Sequence, residues 1–129
     1  VDLVIQSEKG VLLVYRKNEP AKNTWWLPGG RIIKNEKMED AVLRKAFEET
    51  GLKVQIKNKI GVYETLFDKN PFNDPSFGAH SVNICFLVEA LNQEVKLDNQ
   101  SSEFRWINEI ENNLPDYVKK VINDSKVFC

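Results

Sequence analysis

The sequence is poor in the residues that most often announce a reaction. Its 129 residues hold one histidine, His80, and two cysteines, Cys85 and Cys129. Two cysteines make no disulfide framework, and no Cys/His cluster has zinc spacing. Cys85 lies inside the apolar run 82–90 and reads as a small core residue, while Cys129 ends the chain. A serine or cysteine triad would rest on His80 alone. No apolar run approaches the roughly 18 residues that a membrane helix needs. Charge of one sign is lacking too: 18 Lys and Arg face 19 Asp and Glu, for a net charge of −1. That balance argues against a nucleic-acid-coating protein and against a polybasic membrane binder. It leaves room for a small anionic ligand, which needs only a few placed cations. No signal-peptide pattern is visible, so a cytoplasmic protein is expected. The chain opens at Val1 inside an apolar run, and a native N-terminal segment is expected to be missing.

What is present is a globular composition, with 42% apolar and 29% charged residues. The length fits one domain, taken as 1–129. Leu3–Ile5 and Val11–Tyr15 are β-type runs around the turn Ser7-Glu8-Lys9-Gly10, a hairpin signal. Trp25-Trp26-Leu27 leads into the chain break Pro28-Gly29-Gly30, followed by a short extended piece, Arg31–Ile33. Met38 to Thr50 reads as a helix closed by Gly51. Val54 to Phe67 alternates as one bent strand or two. Ser81–Ala90 and Phe104–Ile107 read as strands, and Pro115 opens a last helix with the stripe Val118, Val121, Ile122. The irregular stretch 68–79 reads as a surface loop, whose Phe72 and Phe77 allow a substrate-facing role.

The chemistry concentrates between Gly29 and Leu52. Arg44, Glu48 and Glu49 fall near the C-terminal end of the first helix, where carboxylates oppose the helix dipole unless a cation compensates. Arg44 lies four residues before Glu48 and can pair with it, which leaves Glu49 for another task. The Pro28-Gly29-Gly30 loop lets bare backbone approach a ligand. A loop carbonyl beside helix carboxylates is a hard-oxygen site suited to Mg²⁺ or Mn²⁺.

The order of these residues resembles the Nudix box, G-x5-E-x7-R-E-U-x-E-E-x-G-U, with U a bulky aliphatic. Gly30, Glu36, Arg44, Glu48, Glu49, Gly51 and Leu52 match at the required spacing, a signal far more specific than a lone glycine triplet. The resemblance implies an α/β fold, the Nudix α/β/α sandwich with a mixed sheet. It also implies a metal-dependent hydrolase of a nucleoside diphosphate linked to another group. Lys45 departs from the box, standing where the family has a glutamate, and Ala46 is smaller than the usual aliphatic. The exchange turns a formal −1 into +1 beside Glu49, so fewer divalent ions are expected, unless Lys45 is an exposed residue with no role.

Upstream, Arg16, Pro20, Ala21, Trp25 and Pro28-Gly29-Gly30-Arg31 are spaced as R-x3-P-A-x3-W-x2-P-G-G-R. This is similar to the GDP-mannose mannosyl hydrolase branch of the family, which also lacks that glutamate and cuts the sugar C–O bond. The resemblance implies metal ligation by the carbonyl of Gly29, by Glu49 and by Gln100, with Glu48 as an optional extra ligand. It implies that Arg16 stabilises the leaving diphosphate, a task suited to a guanidinium fork. Asp2 corresponds to a carboxylate near the sugar, or is a chain-terminal surface residue. The branch has a histidine base after its glutamine, where this chain has Ser101, and a serine is no general base near neutrality without help. His80 and Glu103 are the nearby alternatives, and His80 enters the expected catalytic set with Arg16, Glu49 and Asp2. Arg16, Arg31 and Trp26 form the expected substrate-binding set; of the adjacent Trp25 and Trp26, one can pack inward and the other face a ligand.

Three functions follow from this reading. The first is a Mg²⁺-dependent hydrolase of a nucleoside diphosphate sugar such as GDP-mannose, with C–O cleavage. The second is a Nudix pyrophosphatase acting at phosphorus on ADP-ribose or another nucleotide. The third is a nucleotide-sugar binding module without turnover. Pairing of two copies is implied by the branch alone.

Overall fold

A computed structural model describes residues 1–19, 21–67, 78–92, 94–99 and 101–128. The expectations on Pro20, Phe72, Phe77, Gln100 and Cys129 lie outside these described residues. The chain order is β1 (Asp2–Ser7), β2 (Gly10–Arg16), β3 (Trp25–Trp26), α1 (Met38–Thr50), β4 (Val54–Phe67), β5 (Ala79–Ala90), β6 (Ser101–Ile107) and α2 (Asp116–Ser125).

All six strands join one mixed sheet. β1 runs parallel to β5, and the other pairs are antiparallel. The middles of β1 (residues 3–5), β2 (residues 11–14) and β5 (residues 84–88) are apolar without a break because both faces of the sheet are covered. Successive side chains alternate between those faces. Val4, Val11, Leu13, Cys85 and Leu87 pack with Val118, Val121 and Ile122 of α2. Leu3, Ile5, Leu12, Phe86 and Val88 pack with Val42 and Ala46 of α1. Each fully buried Leu, Ile or Val of these layers contributes about 1.5–3 kcal/mol relative to exposure. The result is the expected α/β/α sandwich, with Cys85 buried as anticipated. Among the described residues, no helix is long and apolar enough to cross a membrane.

The local signals account for the ends of the elements. α1 stops at Gly51, whose φ of 72° suits a residue without Cβ and whose N–H donates to the Phe47 carbonyl. Glu39 and Asp40 fall in the first turn, where carboxylates favour the helix dipole. β4 is one strand rather than two, bent by register shifts between Ile56 and Asn58 and between Lys59 and Gly61. Arg31–Ile33 forms no strand, a difference from the sequence reading.

The feature that builds a site is a fork in the sheet. β1 and β2 pair only at their turn, through Gln6–Val11 and Ser7–Gly10. Beyond it they part, and the segment from Trp25 to Gly30 enters the gap. Trp25 and Trp26 pair with Tyr15 and Val14 of β2, and Gly29 bridges to Asp2 of β1.

Candidate active site

Gly29 lies in the fork with no room for a side chain. A Cβ there would come within 2.2 Å of Asp2 Oδ1 and 2.3 Å of the Val1 carbonyl. The flanking bonds, Leu3 N–H to the Pro28 carbonyl and Gly30 N–H to the Val1 carbonyl, are both 2.8 Å. In such a ladder the residue between the two bonds turns its own N–H and C=O away from the partner strand. Both backbone dipoles of Gly29 therefore leave β1 on the other side. Glu49 is there, and the Gly29 N–H reaches its carboxylate.

Glu49 is on the buried stripe of α1, with Ala41, Val42 and Ala46. Its side chain is 5% exposed. Its Oε2 is buried and has no hydrogen-bond partner among the described residues. Burial pushes the carboxyl up to about 7; Lys45 works against this and Asp98 adds to it. An orphaned buried carboxylate oxygen beside an outward-turned carbonyl is a donor set that a hard divalent cation fits.

Glu48 has a different fate. Both its oxygens accept from Arg44 Nη1, at 3.0 and 3.2 Å, and Lys45 Nζ is 3.4 Å from Oε1. Arg44 also grips both oxygens of Glu36, at 2.7 and 2.9 Å, and donates to the Arg31 carbonyl at 2.8 Å. The Arg44 hydrogen bonds hold the Glu36 carboxyl down at about 2 and lower that of Glu48. This clamp ties the 31–36 segment to α1.

Asp2 lines a cleft of about 700 Å³ with Arg16, Trp26, Arg31, Phe67 and His80. Asp2 pairs in register with Cys85, so both point to the α2 side. Tyr117 of α2 donates to Asp2 Oδ2 at 2.5 Å. Its phenol oxygen also lies 3.2 Å from Cys85 Sγ; with its own proton committed to Asp2, it accepts from the thiol. Burial raises the Asp2 carboxyl, opposed by the Tyr117 hydrogen bond and by the charge of Arg16. Trp26 stacks on Tyr117 at 5.1 Å and meets Phe67 at 5.8 Å. Trp25 instead packs against Tyr15 and lies under Arg105.

Arg16 connects the two carboxylates, since its charge acts on Asp2 and on Glu49. It ends β2, where the register slips and Arg16 comes opposite Ser101. Bulges of this kind re-aim side chains beside functional sites. The loop after it is closed by Arg16 N–H to the Thr24 carbonyl and Asn23 N–H to the Arg16 carbonyl, both 3.0 Å. Ser101 is buried. Its neighbour Gln100, the expected metal ligand, is outside the described residues.

His80 is on the cleft rim, more than half exposed, and its Nε2 bonds Glu64 Oε2 at 2.8 Å. The structure thus gathers Asp2, Arg16, Gly29 and Glu49, leaves His80 at the edge, and commits Glu48 to Arg44. Sequence reasoning missed Tyr117 and Asp98. Asp98 stands two residues before Gln100 in the sequence, and that spacing is the signal that could have found it. Tyr117 is 115 residues from Asp2, and no local pattern joins them.

Comparisons with known proteins agree with this frame. The model of the NUDIX domain matches residues 1–124. The low-salt glycan biosynthesis protein Agl8 of Haloferax volcanii is 35% identical, over 95% of this chain and 78% of its own. The ADP-ribose pyrophosphatase of Methanocaldococcus jannaschii is 35% identical, over 96% of this chain and 70% of its own. The crystal structure of a MutT NUDIX hydrolase from Burkholderia pseudomallei shares the fold with a TM-score of 0.77 at 23% identity, covering 95% of this chain and 93% of that one. The chain therefore belongs to the Nudix hydrolase family, whose members generally use divalent cations and act on small nucleoside diphosphate derivatives.

Proposed function

We propose that the protein is a Mg²⁺-dependent nucleotide-sugar hydrolase of the GDP-mannose type. Water and the nucleotide sugar give a nucleoside diphosphate and the free sugar, with the sugar C–O bond broken. The observation that carries this is that Arg16 and Asp2 line one cleft and that the charge of Arg16 acts on two unlike carboxylates, Asp2 and Glu49. A diphosphate gripped by Arg16 would lie near both acids, that of the metal site and that of the cleft.

Glu49 and the Gly29 carbonyl would hold Mg²⁺ or Mn²⁺, with Gln100 and, on leaving Arg44, Glu48 as further ligands. When bound, the cation neutralises the diphosphate and makes it a better leaving group. Arg16 supplies a second positive charge to the departing oxygens. Trp26 offers a ring face and Arg31 a cation to the substrate in the cleft. Asp2, with its carboxyl raised by burial, takes the proton of the attacking water, and the water oxygen joins the anomeric carbon. His80 meets the substrate at the rim.

A second reading, cleavage at phosphorus, is favoured by the Glu48-Glu49 pair and by the ADP-ribose pyrophosphatase relative. The test is hydrolysis of GDP-mannose, GDP-glucose and ADP-ribose with Mg²⁺ in ¹⁸O-water, with products resolved by chromatography. GDP plus ¹⁸O-labelled sugar is expected. A nucleoside monophosphate plus a sugar phosphate would replace this reading by the second. Calorimetric binding without turnover would make the protein a nucleotide-sugar sensor.

A further inference from the structure

We propose that Lys45 is a built-in cation of the metal site, whose ammonium weakens divalent-ion binding at Glu49 and limits the site to one ion. The proposal rests on Glu49 as the metal anchor. Lys45 sits one turn before Glu49 on α1, and its side chain is 17% exposed. A lysine without a task extends into water and keeps its rotamer freedom. This one folds back along Gly30, where an added Cβ would lie 2.1 Å from Cε and 2.8 Å from Nζ. Gly30 thus leaves a lane that the lysine fills.

The lane ends between the two acids. Nζ is 3.4 Å from Glu48 Oε1 and 3.9 Å from Glu49 Oε2. The second distance is too long for a hydrogen bond, so Glu49 keeps an unfilled acceptor while its charge is offset. A divalent ion at that oxygen would meet a positive charge at close range, and the repulsion weakens its binding. A second ion would need Glu48, whose oxygens already accept from Arg44. The ammonium occupies the space between them.

The test is Mn²⁺ titration of nucleotide-free protein, reading free Mn²⁺ by electron paramagnetic resonance. Wild type and Lys45→Arg should bind one ion. Lys45→Gln should bind one ion at least about tenfold more tightly. Lys45→Glu should bind two, and Mn²⁺ should raise its Tm more than that of wild type, which also reports that the variant folds. Equal affinity in wild type and Lys45→Gln, or two ions in wild type, would overturn the proposal. No Mn²⁺ bound by any of the four proteins would overturn the metal reading of Glu49 itself, a failure distinct from that of Lys45.

Discussion

Glu48 and Glu49 are neighbours in the chain and opposites in the fold. Glu48 is on the outer side of α1, with both oxygens held by Arg44 and its carboxyl lowered. Glu49, about 100° further round the helix, is buried with an oxygen unfilled and its carboxyl pushed up to about 7. One acid is satisfied and builds structure. The other is held in a state that costs stability, which is the mark of a group kept for a ligand.

The sharpest way to break this contrast is Glu49→Gln. Loss of the buried carboxylate should lower turnover about a thousandfold with Mg²⁺, since several kcal/mol of charge stabilisation go with it. The same change should alter the pH dependence of stability in metal-free protein. The Glu49 carboxyl binds its proton more tightly folded, at about 7, than at its ordinary value of 4.5. The contribution of Glu49 to stability is therefore full below about pH 4.5 and is lost as pH rises to about 7. Thermal melts should show this fall in wild type and a shallower one in Glu49→Gln, the remainder belonging to Asp2, which shifts in the same direction.

Asp2 comes next. Asp2→Asn should lower kcat about a hundredfold if it accepts the water proton. Tyr117→Phe keeps the ring on Trp26 and removes the hydrogen bond to Asp2, so kcat should fall about tenfold with KM little changed. Unchanged steady-state constants in both variants would remove the cleft acid from the reaction.

The extent to which this was legible in the sequence follows the range of the forces. α1 was readable to both ends because its signals, the apolar spacing and Gly51, are local. The β1–β2 hairpin and the buried Cys85 were readable for the same reason. The separate tasks of Glu48 and Glu49 were half readable, since Arg44 to Glu48 is one helical turn. The fork that turns Gly29 toward Glu49 depends on pairing between residues 27 apart, and the Asp2–Tyr117 bond joins residues 115 apart. Burial decides the charge state of Glu49, and burial is a property of the packed fold.

Smaller effects sharpen the satisfied side of the comparison. Arg44→Ala frees Glu36, Glu48 and the Arg31 carbonyl together. Calorimetry should show Tm lower by about 2–6 °C, with less difference in high salt because the groups are partly exposed. His80→Ala should do least. Its exposed pair with Glu64 contributes about 0–1 kcal/mol, and KM should rise by about threefold or less at constant kcat. A hundredfold loss of kcat there would move the proton acceptor from Asp2 to His80.

The most direct measurement is Mn²⁺ binding to Glu48→Gln and Glu49→Gln side by side, by calorimetry on folded protein. Glu49→Gln should bind no ion over the range that saturates wild type, while Glu48→Gln should keep a single site. Retention in Glu49→Gln with loss in Glu48→Gln would contradict the account.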